Sequence, residues 1–394
     1  MVAEKPTIMI VAGEASSDLH GAHLLKALRK QGFEGRIAGV GGEHMRTEKF
    51  ETIIPAESFS IAGLTEVILA LPRMLSYLLR LTKWARKHRP AVAVLTDLPD
   101  FNLRLAKRLK KIGIPVIYYI SPQLWAWRTK RVEQVKKYID KMLVILPFEE
   151  SFYHEHGVEV EFVGHPLMEE IRNAPNQEEA RKQLQLDAPE TRIIALLPGS
   201  RRKEVAKHLP TMLQSITMLR QRFPELEVVI PVASAVLRKL VEQIVKIEGV
   251  QVKLLPGNSN VALRAADAAI VCSGTSTLQT ALLNRPMVII YKVSTLSYWL
   301  LKKLVKVSHI GLVNLVAGRR LVPELLQDDL TPNNLYSEMA EILTNQKLQK
   351  SLESEFHQLR ASLETNDVSA KVANHILEFV NKSKTPAQQP PLQP

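Results

Sequence analysis

Short runs of β-branched and aliphatic residues recur along the chain, each followed by a longer stretch whose apolar positions return every three or four residues. The short runs fall at 7–12, 36–40, 91–96, 115–120 and 142–146, then at 192–197, 226–232, 250–255, 268–272 and 287–291. Uninterrupted apolar runs suit strands buried on both faces, and strands alternating with helices predict parallel sheets wrapped by helices. Between the two sets, 172–191 is polar, holds Pro175 and Pro189 and has little β pattern, which predicts a linker followed by a helix over 178–185. The expectation is an α/β chain of two Rossmann-like, doubly wound domains facing a cleft, at 1–172 and 173–345. Residues 346–381 are expected to form helices packing back toward the first domain, and the Pro- and Gln-rich 382–394 a disordered tail. In such open sheets ligands sit beyond the carboxyl ends of the strands, so chemistry is sought there.

Two segments depart from the ordinary pattern. Over 63–89, Leu64, Val67, Ile68 and Leu71 share one helical face, Pro72 predicts a break or kink, and Leu75, Leu78 and Leu79 resume the stripe. Leu69, Met74, Tyr77, Leu81 and Trp84 make the other side apolar too, and Arg86-Lys87-His88-Arg89 closes the segment. A buried core helix accounts for this pattern, and so does a helix for acyl chains or an anionic bilayer surface. Ser297-Tyr298-Trp299-Leu300-Leu301-Lys302-Lys303-Leu304-Val305-Lys306 is a shorter segment of the same kind, and having two favours lipid.

Composition narrows the picture. The 394 residues exceed what one core usually serves, and 46% hydrophobic with 23% charged residues is ordinary globular composition. The net charge of +12 predicts an anionic partner or a solvated basic surface. Single-strand nucleic-acid binders interleave basic groups with stacking aromatics, which are 6% here, so nucleic acid is not expected. The single Cys272 excludes an internal disulfide and a Cys-rich zinc site. The start of the chain has no secretory pattern, and no charge-free apolar run approaches ~18 residues, so a cytoplasmic protein with at most peripheral membrane contact is expected.

Four strings at predicted strand ends can carry chemistry. Gly13-Glu14-Ala15-Ser16-Ser17-Asp18 places glycine and hydroxyls between strand and helix, where backbone N–H groups can face an anion or a sugar; Ser17 or Asp18 serves equally as an N-cap. In Thr96-Asp97-Leu98-Pro99-Asp100-Phe101-Asn102, Asp100 fits an N-cap and equally a carboxylate taking a proton from an attacking hydroxyl. Leu197-Pro198-Gly199-Ser200-Arg201-Arg202-Lys203-Glu204 sets a small-residue turn beside a cationic cluster, suited to a diphosphate leaving group. Cys272-Ser273-Gly274-Thr275-Ser276-Thr277-Leu278-Gln279 repeats the strand, glycine, hydroxyl and helix order. His165, in Gly164-His165-Pro166, is either a site residue or a turn histidine satisfied by backbone. The chain has no D-x-D, P-loop, H-E-x-x-H or G-x-S-x-G string. No metal site and no cofactor is expected.

Together these strings resemble the lipid-A-disaccharide synthase family, inverting glycosyltransferases of the GT-B architecture. The resemblance extends from about Thr7 to about Val380 through Gly13-Glu14-Ala15-Ser16-Ser17-Asp18, Leu98-Pro99-Asp100-Phe101-Asn102, Ser121-Pro122-Gln123-Leu124-Trp125-Ala126-Trp127-Arg128, Phe162-Val163-Gly164-His165-Pro166, Leu197-Pro198-Gly199-Ser200-Arg201, Ser273-Gly274-Thr275 and Val313-Asn314-Leu315-Val316-Ala317-Gly318. It implies that UDP-2,3-diacylglucosamine donates its sugar to 2,3-diacylglucosamine 1-phosphate, giving the β-1,6 disaccharide 1-phosphate and UDP. Such substrates are anionic and acylated, matching the basic surface and the apolar helix; the implied place is the cytoplasmic face of the inner membrane, with a homodimer left open.

By the same resemblance, Asp100 is the general base and Glu14 a required carboxylate, with Ser16, Ser17, Trp127 and His165 on the acceptor side. Gly199, Ser200, Arg201, Ser273, Gly274, Thr275, Gln279 and Asn314 would serve the UDP-sugar. Gln279 stands where the family usually has a glutamate, and Ala91 where many members have an aspartate; both leave open a weaker enzyme or a shifted donor preference. The competing expectations are another UDP-sugar enzyme of this architecture, such as an epimerase or a transferase on a non-acylated sugar, and a catalytically weak lipid- or UDP-binding homologue.

Overall fold

In a computed structural model, residues 5–59, 64–127, 129–188, 190–232, 234–293 and 308–384 are described, without the side chains of 15, 64–70, 127 and 384. The chain forms two compact units, one of residues 1–166 with 365–394 and one of 167–364.

The first unit is built on seven parallel strands: β1 (Thr7–Ala12), β2 (Arg36–Gly41), β3 (Glu51–Pro55), β4 (Val92–Thr96), β5 (Val116–Tyr119), β6 (Lys141–Val144) and β7 (Val160–Phe162), in the order β3-β2-β1-β4-β5-β6-β7. β1 pairs with β2 on one side and β4 on the other, so the winding reverses between β1 and β4. The crevice beyond such a reversal is where a doubly wound sheet binds its ligand. Ile8, Met9, Ile10, Val11 and the whole of β4 are buried, as expected for strands with helices on both faces.

The second unit has six parallel strands: β8 (Arg192–Leu197), β9 (Leu226–Val232), β10 (Lys253–Pro256), β11 (Ala268–Cys272), β12 (Met287–Tyr291) and β13 (Glu324–Leu326), in the order β10-β9-β8-β11-β12-β13. Its winding reverses between β8 and β11. The fold class expected from the patterning is therefore found twice, each time with its own core.

Several boundaries differ from expectation. The first unit gives way to the second at 166 rather than 172, because Leu167, Met168 and Ile171 bury into the second unit as helix Leu167–Arg172. The polar stretch after it is no free linker: helix Gln177–Gln183 starts on an Asn176 cap, and Arg181 Nη2 holds Asp267 at 2.7 Å. Helix Gln346–Leu363 stays with the second unit, while helix Val368–Lys384 belongs to the first, where Gln31 Nε2 donates to Ala370 O at 3.0 Å. Residues 382–384, expected in the tail, end that helix; 385–394 lie outside the described residues.

Helix Leu64–His88 runs unbroken through Pro72, so no boundary falls there. It serves two faces. Leu78, Leu81 and Ala85 bury into the core, whereas Leu71, Leu75 and Leu79, spaced four apart, are 51%, 51% and 53% exposed. Leu78 thus leaves the stripe assigned to it and joins the interior. The side chains of Leu64, Val67 and Ile68, and the whole of 294–307 with the second apolar segment, lie outside the described residues.

Candidate functional site

At the reversal of the first sheet, β1 ends into Gly13-Glu14 and helix Ala15–Lys30, while β4 ends into Asp97-Leu98 and helix Pro99–Lys111. Asp97 and Leu98 are both left-handed, with φ of 51° and 43°. Two successive residues with side chains in that region cost roughly 1–2 kcal/mol each and persist only where neighbours enforce them. Here Asn102 Nδ2 donates to Thr96 O and Asp97 O, both at 2.8 Å, Tyr118 Oη donates to Asp97 O, and Thr96 Oγ1 ties back to Val11 O at 2.9 Å.

Enforced strain of this kind marks a turn shaped for what it presents. Burial pushes the Asp97 carboxyl up to about 6, and the Glu14 charge adds to the shift, partly offset by His20 and Ser17. Asp100 does not occupy the N-cap, which is Leu98. It lies in the first helical turn, 58% exposed, in an ion pair with Arg131 Nη2. Arg131, 31 residues away in sequence, is a partner that spacing could not reveal.

The other expected acceptor-side residues separate. Glu14 and Ser16 are exposed. Ser17 is fully buried, its hydroxyl accepting from Glu14 N at 3.0 Å and donating to Glu14 O at 2.9 Å, so it closes the helix start and does not face solvent. Asp18 accepts from the amides of Gly42, His44 and Met45 and caps helix Glu43–Thr47. His165 is buried, and burial followed by the His20 charge pushes it down to about 3, so it is a neutral interior residue and not a surface contact.

The tryptophan string follows Ile120, a β-branched residue at φ 66°. Glu149 anchors it: Trp125 Nε1 donates to Oε1 at 3.2 Å, while Ile145 N and Leu146 N donate to Oε2 at 3.3 and 3.1 Å. Burial pushes this carboxyl up to about 7. Ser121 Oγ and Tyr153 Oη share a hydrogen bond of 2.8 Å. The Trp127 side chain lies outside the described residues.

In the second unit the turn after β8 is occupied by the chain itself. The Glu204 carboxylate accepts from Ser200 N, Arg201 N and Arg201 Nη1, each at 3.1 Å. The amides of Ser200 and Arg201 are therefore engaged, and what the turn offers a ligand is the Arg201 side chain, 61% exposed. After β11, Ser273 Oγ donates to Ile310 O at 2.8 Å, and Gly274 adopts φ 150°, ψ −163° at the cap of helix Thr275–Leu282. Among the described residues a Cβ on Gly274 would meet nothing within 4 Å, so glycine serves the backbone conformation and no described side chain covers the helix start. Gly274 and Thr275 are exposed.

Gln279 and Asn314 do not line this edge as expected. Gln279 is 8% exposed, its Nε2 donating to Ser259 Oγ at 3.1 Å and Asn260 Oδ1 at 2.8 Å. Asn314 is fully buried: Nδ2 donates to Val322 O and Glu324 Oε1, and Oδ1 accepts from Leu321 N and Val322 N. A side-chain amide with both ends so engaged is a clamp for the 321–324 stretch.

His208 bridges the same edge. Its Nδ1 lies 2.8 Å from Pro198 O, and Lys292 N donates to Nε2 at 3.0 Å, so the proton sits on Nδ1 and the ring is neutral. Burial holds it below the ordinary histidine range.

Among the described residues no three His, Cys, Asp or Glu side chains are grouped to hold a metal ion. Two open clefts, of about 310 Å³ against Lys5, Phe33 and Leu377 and about 260 Å³ against Arg181, Arg192 and Asp267, adjoin the amino ends of the strands, away from the strand-end groups above.

Residues 8–376 match the family model described as Lipid-A-disaccharide synthetase. A lipid-A-disaccharide synthase of Anaeromyxobacter sp. (strain K) is 45% identical over 372 residues, 94% of this chain and 96% of that protein. The one of Myxococcus xanthus is 40% identical over 377 residues, 95% and 98%. In fold, the chain is similar to a putative UDP-N-acetylglucosamine 2-epimerase from Listeria monocytogenes (TM-score 0.66, 12% identity, 98% of each chain) and to Acinetobacter baumannii MurG (TM-score 0.58, 14% identity, 95% and 99%). At such identities the epimerase likeness concerns the fold alone; the sequence relatives are transferases.

Proposed function

The chain belongs to the lipid-A-disaccharide synthase family, and from that premise we propose how its strand ends divide the reaction. The enzyme is a glycosyltransferase that forms the lipid A disaccharide from a UDP-sugar donor. In the proposed reaction UDP-2,3-diacylglucosamine is the donor and 2,3-diacylglucosamine 1-phosphate the acceptor. The acceptor 6-hydroxyl oxygen attacks the anomeric carbon, its proton passes to the Asp100 carboxylate, and the bond to the diphosphate breaks with its electrons leaving on UDP. Attack opposite the leaving group inverts the anomeric centre.

Asp100 is exposed and held in orientation by Arg131, as a carboxylate meeting a substrate hydroxyl must be. Nearby, the Glu14 charge adds to the burial that raises the enclosed Asp97. In the second unit, Arg201 and the start of helix Thr275–Leu282 suit the developing charge on the diphosphate. The observation that carries these roles is the enforced left-handed turn at Asp97-Leu98, which sets Asp100 at the sheet's reversal point. Incubation of the two acylated substrates with EDTA present tests the reading. Disaccharide 1-phosphate and UDP in equal amounts are expected; absence of the disaccharide, or a strict need for added divalent ion, contradicts it.

No helix among the described residues is long and apolar enough to cross a membrane. The Leu71, Leu75, Leu79 stripe is flanked by exposed Arg73, Arg80, Lys83, Arg86 and Lys87, which supports peripheral docking on an anionic bilayer, where the acylated substrates reside. Co-sedimentation with anionic vesicles is expected at low salt and should fall as salt rises. Equal binding by a variant with all three leucines changed to serine would contradict it.

A further inference from the structure

Glu204 stands three residues beyond Arg201, in the first turn of helix Arg202–Arg222, and its side chain is 18% exposed against 61% for Arg201. One oxygen takes the amides of Ser200 and Arg201, and the other takes Arg201 Nη1. The backbone is shaped around this carboxylate. Gly199 adopts φ 124°, and a Cβ there would come within 2.5 Å of Glu204 Oε2 and 2.6 Å of Glu204 Cβ. Only glycine gives both the conformation and the room.

An exposed ion pair three residues apart adds little to stability, so so particular a turn calls for another explanation. A long, solvent-facing arginine gives up much side-chain freedom when it grips an anion, and one already tethered gives up less. We propose that Glu204 is the positioning residue for Arg201, holding the guanidinium through a turn that only glycine permits, ready for the donor diphosphate. Glu204 itself does not touch the donor. The inference rests on the assignment of Arg201 to the donor made above.

Glu204→Gln separates tether from fold. The amide oxygen still accepts from the two backbone N–H groups, while the NH2 replaces the oxygen that Arg201 Nη1 needs and opposes donor to donor. UDP titrations and steady-state kinetics on wild type, E204Q, R201A and E204Q/R201A, with thermal unfolding alongside, form the test. For E204Q, UDP Kd and donor KM are expected to rise about five- to tenfold, with kcat and acceptor KM within about twofold. In the R201A background the E204Q effect should vanish, since a residue acting through Arg201 has nothing left to position. Glu204→Ala, which loses cap and tether together, should show the same donor loss plus a lower Tm.

Wild-type donor KM in E204Q overturns the inference, as does a full E204Q penalty without Arg201. If R201A binds UDP like wild type, the donor assignment fails and the inference with it. A large R201A loss beside an unaffected E204Q removes the inference alone.

Discussion

The carboxyl edges of the two sheets use their acidic groups in opposite ways. At the first, Asp97 is enclosed near Glu14, whose charge raises it, and Asp100 stands exposed with Arg131. At the second, Glu204 turns onto the amides of Ser200 and Arg201, and Glu324, the first residue of β13, onto those of Ile310 and Gly311 at 3.1 and 3.0 Å, while Arg201, Arg202 and Lys203 are exposed. One edge presents carboxylate and suits proton removal; the other neutralises its own carboxylates and presents cation and helix start, suiting an anion. Two copies of one fold have been given opposite electrostatic character by a few residues after each strand.

The comparison breaks first at Asp100. Asp100→Asn is expected to lower kcat by a factor on the order of hundreds, measured with the acylated substrates; a rate within tenfold of wild type would take the base role away. Asn314→Ala probes the inward-turned side. Removing the clamp leaves the amides of Leu321 and Val322 without their acceptor, costing about 3 kcal/mol in denaturant unfolding, with UDP affinity within about twofold if Asn314 is structural.

Asp97→Asn sharpens the electrostatic contrast. The wild-type carboxyl rises from 3.8 to about 6 on folding. Below pH 3.8 both states hold the proton and nothing is lost; as pH rises toward 6 the unfolded chain ionises first, and the folded state falls behind by about 2–3 kcal/mol. Asparagine tolerates the left-handed conformation and does not titrate. The variant should therefore gain stability over wild type as pH climbs from 4 to 7, and equal pH dependence of the two unfolding curves would show that Asp97 is not so enclosed. The smallest effect is expected of Gln279→Glu: the Ser259 hydroxyl and Asn260 amide can both turn to donate to a carboxylate, so stability should change by no more than about 1 kcal/mol and donor KM by less than twofold. A large drop in donor KM would return this residue to the nucleotide.

The long buried strands were legible in the residue pattern because apolar runs such as 7–12 and 268–272 have one use in a parallel sheet. β3, β7 and β13 were not: they are short edge strands with polar positions, and Glu161 in β7 is stabilised by Lys141 at 2.6 Å and His375 at 2.9 Å, partners distant in sequence. The site was half legible. Motif strings pointed to strand ends, but Arg131, Glu149 and His208 act through partners at least 10 residues away, which no local string contains. The resemblance points Ser17 and Asn314 toward ligand, but a motif string does not show that the backbone already uses these side chains, as it does here. Glu204 was within reach, since an acidic residue three past a helix start is a cap signal.

The central claim is that proton removal and diphosphate binding belong to different units, and the affinity of UDP for the Asp100→Asn enzyme tests it most directly. Titration calorimetry should give a Kd within about twofold of wild type even though turnover is lost; a Kd weakened tenfold or more would contradict the division.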